Sequence, residues 1–203
     1  MRNFPPPAYV NIESKQMSQA AAPLPEGVPP KPKFLRMIAG WARDLAVSLI
    51  VSALIIIFLY QPVKVEGTSM LPGLTDQERI FINKFVYHLE PISRGDIVVF
   101  RYPRDTAKSY IKRVIAVPGD RVRIDDGRVF VNGRRIPEAY VPDDYRDDRS
   151  YADTVVPPNS YFVLGDHRSS SSDSREFGPV EREYIYGKAV FVYWPMEKLG
   201  VLK

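Results

Sequence analysis

The chain has 203 residues, 45% hydrophobic and 26% charged, the balance of one folded domain with room for an anchor or tail. It has no cysteine and two histidines, His88 and His167. That excludes a disulfide scaffold, a thiolate metal centre, a cysteine nucleophile and a metal site built on several histidines. The net charge of +4 is concentrated early. Arg2, Lys15, Lys31 and Lys33 outweigh Glu13 and Glu26, Arg36 and Arg43 outweigh Asp44, and the rest is nearly neutral, a poor electrostatic match for nucleic acid.

Residues 1–33 hold eight of the nineteen prolines and little that could form a core. They read as a disordered, proline-rich tail. A transmembrane helix is expected over 34–61. Leu45 to Tyr60 is sixteen residues without a charge, and Trp41 and Tyr60 bracket it. Their separation is about 28 Å at about 1.5 Å per residue, close to a hydrocarbon core of about 30 Å. No small-x-small cleavage site follows in QPVKVEGT, which argues against a removable leader. Lys31, Lys33, Arg36 and Arg43 precede the span, whereas Lys64 and Arg79 are the only basic residues in the next twenty positions. The positive-inside rule leaves the N-terminus in the cytoplasm and residues 62–203 outside.

Beyond the span the pattern turns to short runs rich in β-branched and aromatic residues: 79–87, 96–102, 110–117, 121–124, 128–132, 160–166 and 188–194. Asp126-Gly127 and Asn132-Gly133 are hairpin turns. The expected fold is mainly β, a folded antiparallel sheet or partial barrel behind one helix. Residues 137–157 read as a long exposed loop or ribbon.

Three segments could carry chemistry. In Gly67-Thr68-Ser69-Met70-Leu71-Pro72 an irregular turn can present a hydroxyl and a backbone N–H to one ligand, although an isolated serine is more often a plain loop residue. In Tyr110 to Val117, Lys112 and Arg113 point to opposite faces of an otherwise apolar strand. Desolvation lowers a lysine towards a neutral amine that can take a proton, and arginine cannot follow. A strand lysine paired at the surface is the plainer alternative. In Gly165 to Arg175 four serines lie between Asp and Arg residues, as a flexible loop or a hydrogen-bonded shelf. A triad through His167 is conceivable, but Asp166 and His167 are adjacent and project differently.

These segments occur in the order seen in bacterial type I signal peptidases, which the chain resembles over roughly 61–203. PVKVEGTSMLPGL resembles the nucleophile box, RGDIVVF (94–100) the structural strand box, YIKRVIAVPGD the general-base box and GDHRSSSSDSR the last box. The resemblance implies a membrane-bound serine endopeptidase that removes signal peptides from exported preproteins. Ser69 would be the nucleophile, Lys112 the general base, and Ser171 a contact of the lysine amine. Gly165, Asp166, Asp173, Ser174 and Arg175 would support the site. No cofactor or metal is implied, and the partners would be preprotein signal peptides and the lipid bilayer of the cytoplasmic (inner) membrane, not nucleic acid. Family positions lining the cleft match Val63, Val65, Met70, Leu74, Tyr110 and Ile111. An extended peptide would add to strand edges near 63–66 and 110–112 and be read by shallow pockets for small side chains. Gly67 stands where many members carry a serine that helps bind the oxyanion, leaving the Ser69 N–H and a second donor, for which Thr68 is a candidate. His167 and Ser169 stand where Asn and Asp are common. The stretch 121–156 is short, implying a reduced second β-subdomain. Self-cleaving serine–lysine regulators, and a tethered β-domain that binds without catalysis, are the rival readings.

Overall fold

A computed structural model describes residues 33–202. The expected proline-rich tail, apart from Lys33, lies outside them. Helix α1 (Lys33–Leu59) contains Met37–Leu59, which is long and apolar enough to cross a membrane and has none of its apolar window buried. It stops two residues short of the expected end. Pro62 has no N–H to continue a helix and biases Gln61 to extended backbone, and Tyr60–Lys64 becomes strand β1.

The body is antiparallel β throughout its described pairings. The strands after β1 are β2 (Arg79–Asn83), β3 (Ile97–Tyr102), β4 (Asp105–Ala116), β5 (Arg121–Asp125), β6 (Arg128–Val131), β7 (Arg134–Arg135), β8 (Tyr151–Val155), β9 (Ser160–Leu164), β10 (Val180–Glu181), β11 (Ile185–Trp194) and β12 (Gly200–Val201). Eight form one sheet in the order β1-β2-β11-β3-β4-β9-β10, with β12 on β11. The others form a four-stranded sheet, β7-β6-β5-β8.

The large sheet is covered on both faces where the site lies. Ile97 and Val99 of β3 join Val65, Met70, Leu74, Ile80 and Ile82 in one cluster. Val98 and Phe100, on the opposite face, join Val114, Val163 and Ile185 in another. A strand buried on both faces needs an unbroken apolar run, and IVVF supplies it. The small sheet is covered on one face only. Val122, Ile124, Val129 and Val131 alternate with exposed or half-buried residues and pack on Ile115, Phe162 and Leu164.

Two segments depart from the sequence reading. The run 79–87 stops being a strand at Asn83, whose Oδ1 accepts the Phe85 and Val86 N–H groups at 2.9 Å each and starts the short helix α2 (Val86–Leu89). The stretch 137–157 is not simply exposed, because it carries β8 and buries Glu138, Val141 and Val156.

Candidate active site

The nucleophile segment begins where β1 runs out. Val65 N–H donates to Glu78 C=O at 2.7 Å and Gln77 N–H to Val65 C=O at 2.9 Å. Gly67 then turns the chain at φ +97°, a conformation that suits glycine, while its N–H donates to Asp76 Oδ1 at 2.8 Å. Leu71 N–H reaches Thr68 C=O at 3.1 Å and closes a tight turn with Ser69 and Met70 at its centre. The apolar side chains of that turn are driven inward. Met70 and Leu74, expected in the cleft, lie instead in the core beneath it, 1% and 0% exposed. Ser69 faces the cleft.

Lys112 comes from the middle of β4, opposite Val98. Its Nζ lies 2.8 Å from Ser69 Oγ and 3.0 Å from Ile111 C=O. The side chain is 4% exposed. Burial pulls its ammonium down to about 8, against the opposing pull of Asp173, Asp166 and Glu176. A neutral amine is therefore available near neutral pH, within hydrogen-bond reach of a serine hydroxyl.

Arg113, the next residue, goes to the other face. It forms a two-pronged ion pair with Asp166 at 2.9 and 2.8 Å, both partners buried, and Tyr140 lies 4.2 Å from its guanidinium. That pair ties β4 to the segment after β9, whose Leu164 is in register with Arg113. The chain then passes so close to the serine turn that a Cβ on Gly165 would sit 2.5 Å from Ser69 C=O and would also clash with Ser171 Oγ.

The remaining shelf residues hold this passage in place. Asp173 caps α3 (Ser174–Phe177) through the Arg175 N–H and also accepts the Gly165 N–H at 3.1 Å. Burial pushes the Asp173 carboxyl up, but Arg175, with help from the Gly165 N–H and the nearby Ser171 hydroxyl, more than offsets this and keeps it low. Ser174 Oγ accepts the Val163 N–H at 2.9 Å. Ser171 is buried beside Gly165, but its Oγ makes no hydrogen bond of ordinary geometry, to Lys112 or to any other described residue. Thr68 is exposed. It meets its neighbours through its carbonyl, which accepts from His167 Nδ1 at 3.1 Å.

The cleft above Ser69 and Lys112 has a volume of ≈ 590 Å³. Val63, Val65, Tyr110 and Ile111 line it, together with Glu66, Ile80, Val99, Ala107, Lys108, Ser109, Ser172 and Tyr186, which sequence reasoning does not single out. Two strand edges lining it have no second partner among the described residues. β1 pairs with β2 alone, and β9 reaches β4 only from Arg113 to Ala116, leaving Asp105 and Ser109 to Lys112 paired with β3 alone. An extended peptide could hydrogen-bond along either edge. The register of β4 and β9 explains this opening, and sequence periodicity alone carries no signal for where a neighbouring strand stops.

The family profile described as signal peptidase, peptidase S26, matches residues 38–194. A signal peptidase I of Leptolyngbya laminosa is 34% identical over 91% of this chain and 96% of its own length. Signal peptidase I T of Bacillus subtilis (strain 168) is 34% identical over 80% of this chain and 89% of its own. A crystal structure of a signal peptidase I from Enterococcus faecalis aligns with 49% of this chain and 97% of that one, at 32% identity and a TM-score of 0.43.

Proposed function

Because the chain belongs to the signal peptidase family, peptidase S26, and is a serine endopeptidase that cleaves signal peptides, we propose that Ser69 is its nucleophile and Lys112 its general base. The observation that carries this is the 2.8 Å separation of Ser69 Oγ from a buried Lys112 Nζ held down to about 8. Neutral Lys112 takes the hydroxyl proton as Oγ attacks the scissile carbonyl. The tetrahedral oxyanion is met by the Ser69 backbone N–H, which makes no hydrogen bond to another described residue. The lysine then protonates the departing amine. Water, deprotonated by Lys112, attacks the acyl-enzyme carbonyl and releases the signal peptide, and the lysine returns the proton to Ser69 Oγ. Arg113, Asp166, Gly165 and the Asp173-Ser174-Arg175 run act by holding the strand and the serine turn against each other.

The substrate lies as an added strand between the edges of β1 and β4, with small side chains beside Tyr110 and Ile111. Helix α1 is the membrane anchor, the tail before it is cytoplasmic, and the β body from residue 62 works outside the cytoplasmic membrane. Strands β5–β8 form the reduced second subdomain. The test is incubation of the detergent-solubilised chain with a preprotein, followed by N-terminal sequencing of the product. Cleavage after a small residue by the wild type, and none by Ser69→Ala or Lys112→Ala folded proteins, supports the assignment. Cleavage by either variant refutes it.

A further inference from the structure

We propose that His167 is a positioning residue that aims the Ser69 backbone N–H into the cleft. The inference rests on Ser69 being the nucleophile. Its starting point is a pair of contacts between segments 99 residues apart: His167 Nδ1 lies 3.1 Å from Thr68 C=O, and His167 N–H donates to Ser69 C=O at 3.1 Å. A carbonyl oxygen only accepts, so the hydrogen bond requires the proton on Nδ1. The Thr68–Ser69 peptide is trans, since the cis bonds among the described residues are Leu71-Pro72 and Trp194-Pro195. In a trans peptide the C=O and N–H point in opposite directions. Holding the Thr68 carbonyl towards His167 therefore turns the Ser69 N–H away from the 165–167 segment. That segment does not line the cleft, and Ser69 does.

The imidazole is itself held. The Tyr145 ring meets it edge-on at 4.7 Å between centroids and 84° between planes. Tyr145 closes a short 3₁₀ turn, Asp143–Tyr145, in the connection between β7 and β8. The small sheet thus reaches the serine turn through Tyr145 and His167. The arrangement matters more here because position 67 is glycine, with no side chain to offer a second donor to the oxyanion, and its own N–H is committed to Asp76.

Removing an oxyanion donor outright costs about 10²–10³ in kcat; the Leu71 N–H still holds the Thr68 carbonyl at 3.1 Å, so loosening the donor by loss of His167 should cost less, roughly ten- to a hundredfold. The experiment uses the full chain in detergent with a preprotein substrate and a peptide boronate as tetrahedral analogue. His167→Phe keeps a ring against Tyr145 but has no donor, and His167→Asn returns an N–H donor. The expected result for His167→Phe is a tenfold or greater fall in kcat with KM within about twofold. Boronate affinity should weaken in proportion to kcat/KM, and His167→Asn should recover most of both. Full turnover by His167→Phe overturns the proposal. So does a fall that His167→Asn fails to recover, or a fall without loss of boronate affinity. Ser69→Ala serves as the separate control. Its turnover would bring down the nucleophile assignment, whereas an inactive Ser69→Ala beside a fully active His167→Phe would bring down only the role of His167.

Discussion

Lys112 is costly to bury, and the proposed dyad gives that cost a chemical use. Its folded value of about 8 lies below the ordinary 10.5 because burial disfavours the ammonium. Below pH 8 the folded state carries the whole penalty. Between 8 and 10.5 the unfolded chain holds the proton and the folded one does not, so stability rises with pH across that window. A shift of this size corresponds to about 3 kcal/mol. Lys112→Met, similar in length and without charge, should therefore be more stable than wild type at pH 7, by up to about 3 kcal/mol, while having no activity. Denaturation of both proteins at pH 7 and pH 10 checks this. The advantage should shrink at the higher pH, and a less stable methionine variant at pH 7 would count against a buried, destabilising lysine.

At the scale of elements, the site is a meeting of the serine turn, strand β4 and the segment after β9. Gly165 sets how closely the last can approach. Gly165→Ala would drive a methyl into Ser69 C=O and Ser171 Oγ, and overpacking of this kind costs about 1–3 kcal/mol. Activity should drop at least tenfold through displacement of Ser69, with a thermal midpoint lowered by a few degrees. Wild-type turnover in that variant would show that the close approach is not needed. The cleft makes its own demand. Pockets walled by Tyr110 and Ile111 should accept Ala before the cut and reject bulk, at about 1–3 kcal/mol or roughly five- to two-hundredfold in rate. A preprotein series differing only at that residue reads it directly, and equal cleavage after Phe and Ala would refute a small pocket.

What could be read from the sequence follows from how local each signal is. Runs such as IVVF and RVRI announce their strands because β-branched residues, alternation and flanking turns lie within a few positions. The serine, lysine and aspartate segments were legible by their motifs, and their order along the chain carried the resemblance. The alternation of β4 gave Lys112 and Arg113 opposite faces, but directions outside the strands and long-range contacts were not legible. Nothing local says that Met70 and Leu74 turn into the core, that Asn83 stops a strand by capping the next turn, or that His167 meets Thr68. Those outcomes depend on β9 pairing with β4 and on Gly165 allowing a close approach, relations between residues far apart in sequence.

At the scale of the whole molecule, the chain joins an apolar helix to a β body whose Ser69 follows Leu59 by ten residues. The basic residues just before and in the first turns of the helix, Lys31, Lys33, Arg36 and Arg43, favour a cytoplasmic N-terminus. Protease added to spheroplasts should then digest the β body and spare an N-terminal epitope tag. The reverse pattern would contradict the topology and remove exported preproteins as substrates.

The dyad is tested most directly by the pH dependence of Ser69 acylation, followed by mass spectrometry of the modified serine in wild type and Lys112→Arg. The wild-type rate should rise through an apparent pKa near 8 and level off above it, because only the neutral amine accepts the serine proton. Lys112→Arg should show no acylation at any pH, since guanidinium stays charged throughout. Acylation of Lys112→Arg at a rate within tenfold of wild type, or a wild-type profile flat between pH 6 and 10, would contradict the account.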